Sequence, residues 1–156
     1  MSPRQRKRGD HRLTSNYSEI PNILYDEWIP TLNRAGFHGH GDVLGVIARQ
    51  TLGWRDLVHP IGTPELAKLS GIERSRVLVI LNELEAMGAI VRERRGNGKG
   101  TALGLRLDWK ADEESLAWGD EVRQGRIEKD RATRRQKAKR SPEPDDPDLT
   151  RQRVRS

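Results

Sequence analysis

The 156-residue sequence contains no cysteine, which excludes disulfide bonds, thiol catalysis and cysteine-ligated zinc. It also has no run approaching the roughly 18 consecutive apolar residues of a membrane span. The basic start of the chain is not followed by the apolar segment of a signal peptide. Hydrophobic and charged residues each make up 33% of the chain. Such a composition supplies one small hydrophobic core, so we expect a single domain with polar extensions.

The excess of positive charge is concentrated near the N-terminus. Of a net charge of +6, residues 1–16 carry +4, whereas residues 17–110 and 111–156 each carry only +1. Residues 1–16 lack a periodic apolar pattern, which predicts a disordered basic arm that can approach phosphates. The arm residues expected to make these weaker DNA contacts are Arg4, Arg6, Lys7 and Arg8.

Two helical segments are predicted in the first third of the chain. Apolar residues recur at nearly helical spacing over residues 17–32, and Pro30 is expected to end or kink that segment. Residues 34–41 form a glycine-rich connection. A strongly apolar helix over residues 42–52 should be the central buried helix, with Trp54 packing back against it.

The segment over residues 63–88 has the pattern of a helix-turn-helix. Thr63 is a good N-cap for a first helix over residues 64–69, which begins with proline. Ala67 supplies the small residue where the helices approach, and Gly71 tolerates the positive φ of the turn. A second helix is predicted over residues 74–87. Its core-facing residues are Val77, Ile80, Leu81, Leu84 and Met87.

Strand signals follow the second helix. A short strand is expected at residues 61–62, another at residues 89–92, and a third after the basic glycine-rich loop at residues 94–100. The residues expected to alternate inward along the third strand are Leu103, Leu105 and Leu107. Helix, helix, strand, basic loop and strand is the order of a winged helix-turn-helix. The predicted fold class is therefore mainly α with a small antiparallel β wing.

The predicted organisation has four parts. A disordered basic arm at residues 1–16 precedes a winged-helix DNA-binding domain at residues 17–109. A charged, helix-prone extension follows at residues 110–140, and residues 141–156 form a proline- and aspartate-rich disordered tail.

The second helix of the predicted helix-turn-helix is expected to enter the major groove. Ser75, Val79 and Asn82 lie on its outer face, where asparagine can match adenine and Val79 can touch a thymine methyl. Arg74 and Arg76 flank its start and are expected to contact phosphates. The alternatives are an ordinary solvated helix face or a protein contact through an exposed Val79.

The wing is predicted to supply the main electrostatic contact. Within eight residues, Arg92, Arg94, Arg95 and Lys99 stand against the single acid Glu93. We expect these cations to meet the sugar-phosphate backbone or the minor groove. The alternative is a solvated, flexible turn.

Other chemistry is disfavoured by residue spacing. Gly98–Thr101 lacks the P-loop pattern, because Glu93 replaces its first glycine and no serine or threonine directly follows the lysine. His38 and His40 are weak evidence for a metal, and Asp42 is better explained as a helix start. We expect no catalytic constellation, no cofactor and no metal.

Several segments resemble the N-terminal domain of phage replication protein O over about residues 17–107. The distinctive ones are Ile20–Asn22 and Arg49–Trp54, whereas Glu65–Ile72 and Leu81–Glu85 are shared with many regulators. The resemblance implies a phage, prophage or plasmid replication initiator that binds an origin and brings in the replicative helicase or its loader. It would act in the bacterial cytoplasm or nucleoid, without a membrane partner.

Two other functions stay open at this stage. One is a winged-helix transcriptional regulator that binds a promoter operator. The other is a protein-interaction adaptor that uses Leu78 and Val79. Both DNA-binding functions are compatible with a homodimer on paired half-sites, although the sequence has no heptad pattern for dimerisation.

Overall fold

The computed structural model describes residues 21–52, 58–94 and 100–140. Its helices are a π-helical turn at Leu24–Trp28, α1 at Ile29–Arg34, α2 at His40–Thr51, α3 at Thr63–Ser70, α4 at Arg74–Ala86 and α5 at Glu113–Arg140. Its strands are β1 at His59–Pro60, β2 at Ile90–Arg94 and β3 at Thr101–Leu105. The described chain is mainly helical with a small antiparallel sheet, which confirms the predicted winged-helix class.

Pro30 marks a change of helix type and does not end the first helical segment. The backbone N–H of Ile29 donates to the carbonyl of Leu24, five residues earlier, so the turn before the proline is π-helical. Pro30 then lies in the first turn of α1, directly after the π-helical turn, so its ring and its missing N–H fall where the helical hydrogen-bond pattern changes. The helical path therefore continues to Arg34.

Helix α2 is the central buried helix, as the sequence predicts. It begins at His40, two residues before the expected start at Asp42. The reason is Gly39, whose φ of 87° turns the chain directly into the helix, and whose carbonyl accepts the N–H of Val43. The expected connection over residues 34–41 is correspondingly shorter. The inward residues of α2 are Val43, Leu44, Ile47 and Ala48.

Helices α3 and α4 form the predicted helix-turn-helix. The first helix starts at Thr63 and not at Pro64, because Gly62 occupies the N-cap position with an extended backbone. Gly71 takes a φ of 71° between the helices and donates its N–H to the carbonyl of Ala67, as expected for the turn. Helix α4 ends one residue before the expected Met87. The predicted stripe is buried throughout, at Val77, Ile80, Leu81, Leu84 and Met87.

The sheet has the order β1-β3-β2, with all neighbours antiparallel. Strand β1 lies two residues before the predicted residues 61–62, and Ile61 instead enters the core while its N–H donates to the carbonyl of Thr101. Leu103 is buried and Leu105 packs against the core, but Leu107 is 48% exposed. The expected alternation stops at Leu105 because the strand ends there.

Trp109 closes the core after the sheet. Its ring meets Trp28 edge to face with centroids 5.1 Å apart, and its indole N–H donates to the carbonyl of Met87 at 2.9 Å. Trp54, which the sequence analysis gives a sealing role, lies outside the described residues. The same holds for the predicted arm at residues 1–16 and the predicted tail at residues 141–156.

The chain divides into two compact units between Val122 and Arg123. In the first unit, α5 starts at an Asp112 cap and Gly119 lies against the Met87 side chain. In the second unit, residues 123–140 are helical and the side chains of residues 131–140 are exposed. No helix in the described ranges is long and apolar enough to cross a membrane.

Candidate nucleic-acid interface

The exposed start of α4 carries the first part of the candidate interface. Arg74 and Ser75 are both exposed in its first turn, where the sequence predicts contacts to phosphates and bases. Arg76 is partly buried, and its Nη2 atom donates to the carbonyl of His38 at 3.4 Å. Arg76 therefore contacts the turn before α2, while Arg74 has its side chain in solvent.

The outward apolar residue of α4 is Leu78. Its side chain is 45% exposed, whereas Val79, which the helical spacing predicts on the outer face, is partly buried, so the prediction of an exposed Val79 is corrected. Leu78 borders a cleft of about 210 Å³ between α4 and the sheet. Ile61 and Leu81 contribute further apolar lining, and Arg92 and Arg94 add cationic groups. The cleft therefore borders α4 on one side and the strands β2 and β3 on the other.

Asn82 and Arg92 meet across the junction between α4 and β2. The Nη1 atom of Arg92 donates to Oδ1 of Asn82 at 3.0 Å and lies 3.3 Å from Oε2 of Glu85. The Arg92 side chain is only 13% exposed. Its charge is compensated within the fold, so it belongs to the helix–wing junction and differs from a free wing cation.

The described part of the wing ends in an exposed cation. Arg94 is the last residue of β2 and pairs with Thr101, the first residue of β3, so the two ends of the connecting loop lie side by side. Arg95 and Lys99 are in this loop and fall outside the described residues. The arm cations Arg4, Arg6, Lys7 and Arg8 also fall outside them.

A buried polar pair that the helical periodicity does not predict lies behind the candidate interface. Nε2 of His40, at the start of α2, lies 2.7 Å from Oε2 of Glu83 on α4. One signal in the sequence points to such a pair: Glu83 adjoins Leu84 at the edge of the apolar stripe, where a carboxylate needs a partner. No group of three histidine or acidic side chains in the described ranges could hold a metal ion.

No protein-family model matches the sequence, and no curated protein is significantly similar to it. Among solved structures, one titled "Crystal structure of NadR in complex with 4-hydroxyphenylacetate" is similar over 72% of this chain and 71% of that chain. The two share 21% sequence identity and a TM-score of 0.37. The two structures overlap only in part. The assignment of the fold therefore rests on the helices and strands described above.

Proposed function

We propose that this protein binds double-stranded DNA, with α4 in the major groove and the β2–β3 wing on the neighbouring backbone. The observation that carries the proposal is the arrangement of α3, the Gly71 turn and α4 beside a β hairpin. Helix α4 has 13 residues and is about 20 Å long, and an α-helix with its side chains is about 10–12 Å across, which matches a major groove about 12 Å wide.

The exposed cations support contacts to phosphates on both sides of that groove. Arg74 lies in the first turn of α4, and Arg94 lies at the described end of the wing. Each cation that neutralises a phosphate releases condensed counterions, which makes affinity strongly dependent on salt. Arg95 and Lys99 add two charges within the same loop. Binding should therefore weaken steeply as the salt concentration rises.

A salt titration tests this proposal. We expect the affinity for a 30-base-pair duplex, measured by fluorescence anisotropy, to fall by at least about tenfold between 50 and 200 mM salt. Arg74→Ala combined with Arg94→Ala should flatten the salt dependence. The matched control is Arg106→Ala, since Arg106 is exposed but follows β3 at the end of the hairpin opposite Arg94. Affinity that is insensitive to salt and to both sets of substitutions would favour a protein-interaction adaptor acting through Leu78.

For the role on DNA we favour transcription regulation over replication initiation. A regulator needs only a DNA interface of the kind proposed here, whereas an initiator also needs a surface for the helicase or its loader. The resemblance to phage replication protein O supports the initiator alternative. Genome-wide mapping of binding sites separates the two: promoter operators support the regulator, and repeats within a replicon's own origin support the initiator.

A further inference from the structure

Arg92 fixes the orientation of the Asn82 amide on the recognition helix. A guanidinium group has hydrogen-bond donors only, so the amide atom that faces it must be the oxygen. The 3.0 Å contact from Nη1 of Arg92 to Oδ1 of Asn82 has this polarity. The NH₂ group of Asn82 is therefore the end of the amide that is turned away from the strand.

Glu85 holds Arg92 in this position from the same helix. Its Oε2 atom lies 3.3 Å from Nη1 of Arg92, and Glu85 follows Asn82 by three residues, so both side chains reach the same strand residue. Arg92 is 13% exposed and Glu85 is 45% exposed. We refer to Asn82, Arg92 and Glu85 as the amide clamp. The clamp restrains an amide that would otherwise rotate freely at the surface.

We propose that the amide clamp makes Asn82 select guanine in place of adenine. This inference rests on the proposed binding of DNA by α4. Asparagine reads adenine by accepting from N6 with Oδ1 while donating to N7 with Nδ2. In the clamp, one lone pair of Oδ1 accepts from Arg92, so an adenine N6 donor at the second lone pair would lie beside the positively charged guanidinium. Guanine offers the acceptors O6 and N7 along its major-groove edge, which suit a donor-rich group.

The choice between the two bases depends on Arg92 more than on Asn82 itself. Without Arg92 no cation lies beside Oδ1, which restores the pairing of the amide with adenine. With Arg92 in place, the outward NH₂ group of Asn82 and the remaining guanidinium N–H groups are all donors. Arg92 is therefore a specificity-determining residue that acts through Asn82.

Selection from a random duplex library tests the inference with four full-length proteins: the unaltered chain, N82A, R92M and the R92M/N82A double variant. We expect the unaltered chain to select guanine at one base-pair position and N82A to lose preference there. R92M should shift the guanine-to-adenine ratio at that position towards adenine by about tenfold or more. The double variant should behave like N82A at that position, since Arg92 acts through the amide.

A second variant keeps the test informative if R92M does not fold. E85Q leaves both Asn82 and Arg92 in place but weakens the support of the guanidinium, so the guanine preference should fall in the same direction by a smaller factor. R92K, which keeps one charged donor, should retain a guanine preference. Thermal melting of each variant confirms that the fold is intact.

Three outcomes overturn the inference. The first is selection of adenine by the unaltered chain at the position that depends on Asn82. The second is an unchanged guanine-to-adenine ratio in R92M, or in E85Q if only that variant folds. The third is DNA selection that N82A does not alter at any position. A chain that shows neither selection nor salt-dependent binding instead overturns the proposed function itself, so the two failures are distinguishable.

Discussion

His40 and Glu83 join the central helix α2 to helix α4 through a fully buried contact. Nε2 of His40 lies 2.7 Å from Oε2 of Glu83, and the two side chains are 0% and 1% exposed. Phe37 covers the imidazole edge to face at 5.2 Å. Polar groups are tolerated at this depth because they bond to each other and are not left to apolar neighbours. The placement of α4 therefore depends on a polar contact as well as on its apolar stripe.

Removing one partner of this pair should destabilise the fold strongly. We expect Glu83→Ala to lower the free energy of unfolding by about 3 kcal/mol, because the imidazole of His40 stays buried without its carboxylate. Urea denaturation followed by tryptophan fluorescence measures the loss. The matched control is Glu85→Ala on the same helix, whose partly exposed pair with Arg92 should contribute less than about 1 kcal/mol.

Removing both partners together should cost less than the two single losses combined. In His40→Leu with Glu83→Leu, neither a buried imidazole nor a buried carboxylate is left without a partner. Strictly additive losses in this double-mutant cycle would show that the two side chains contribute independently.

The helices of the core could be predicted from sequence because their signals are local. The apolar stripe from Val77 to Met87 repeats at helical spacing, and Gly71 and Gly88 occupy positions with φ of 71° and 79°. For the pair of His40 and Glu83 the local signal is incomplete: the position of Glu83 beside the stripe indicates that its carboxylate needs a partner, but nothing local identifies His40, which is 43 residues away. Long-range polar contacts follow from packing, which periodicity does not encode.

The residues of the candidate interface could be predicted in outline from the sequence, but the side-chain contacts between them could not. Counting charges groups Arg92 with Arg94 as wing cations. The β ladder instead places Arg92 opposite Leu103, two residues inward from the Arg94–Thr101 end of the hairpin, where it contacts α4. The way the sheet packs against α4 therefore decides that Arg92 pairs with Glu85, whereas Arg94 is exposed to solvent.

A methyl group at Gly119 should disrupt the packing of α5 in the first unit. A Cβ atom there would overlap the terminal methyl and Cγ of Met87, which is itself buried in the core. We expect Gly119→Ala to lower the free energy of unfolding by about 1–3 kcal/mol, because Met87 must leave its position. The control is Gly125→Ala on the same helix, where the methyl meets nothing and alanine should stabilise the helix by up to about 1 kcal/mol. Equal effects at both positions in thermal melts would argue against this packing.

The start of α5 should respond to acid through Asp112. The backbone N–H of Ser115 donates to Oδ1 of Asp112 at 2.9 Å, and this hydrogen bond lowers the pKa of the carboxyl below its ordinary value of 3.8. A lowered pKa in the folded state means that the cap stabilises the helix above pH 3.8 and that this contribution is lost as the pH falls through the lowered pKa. The protection of the amides in the first turn of α5 against hydrogen exchange, relative to an unstructured chain at the same pH, should therefore fall only in strong acid.

Substitutions at Asp112 distinguish the effect of its hydrogen bond to the N–H of Ser115 from the effect of its negative charge. Asp112→Asn keeps an acceptor for the N–H of Ser115, so the first turn should stay protected and lose its dependence on pH. Asp112→Ala should leave the first turn frayed at every pH. Protection of the alanine variant equal to that of the unaltered chain would show that the cap contributes nothing.

The salt dependence of DNA binding should distinguish free wing cations from the compensated one. Arg94→Ala combined with Arg95→Ala removes two charges that can each meet a phosphate, so the slope of log affinity against log salt should become shallower by about 2. Arg92→Met combined with Glu85→Gln removes a pair whose charges already cancel, so its slope should match that of the unaltered chain. Fluorescence anisotropy across several salt concentrations gives both slopes. If the Arg92–Glu85 variant flattened the slope as much as the wing variant, Arg92 would be a phosphate contact and its place in the amide clamp would be wrong.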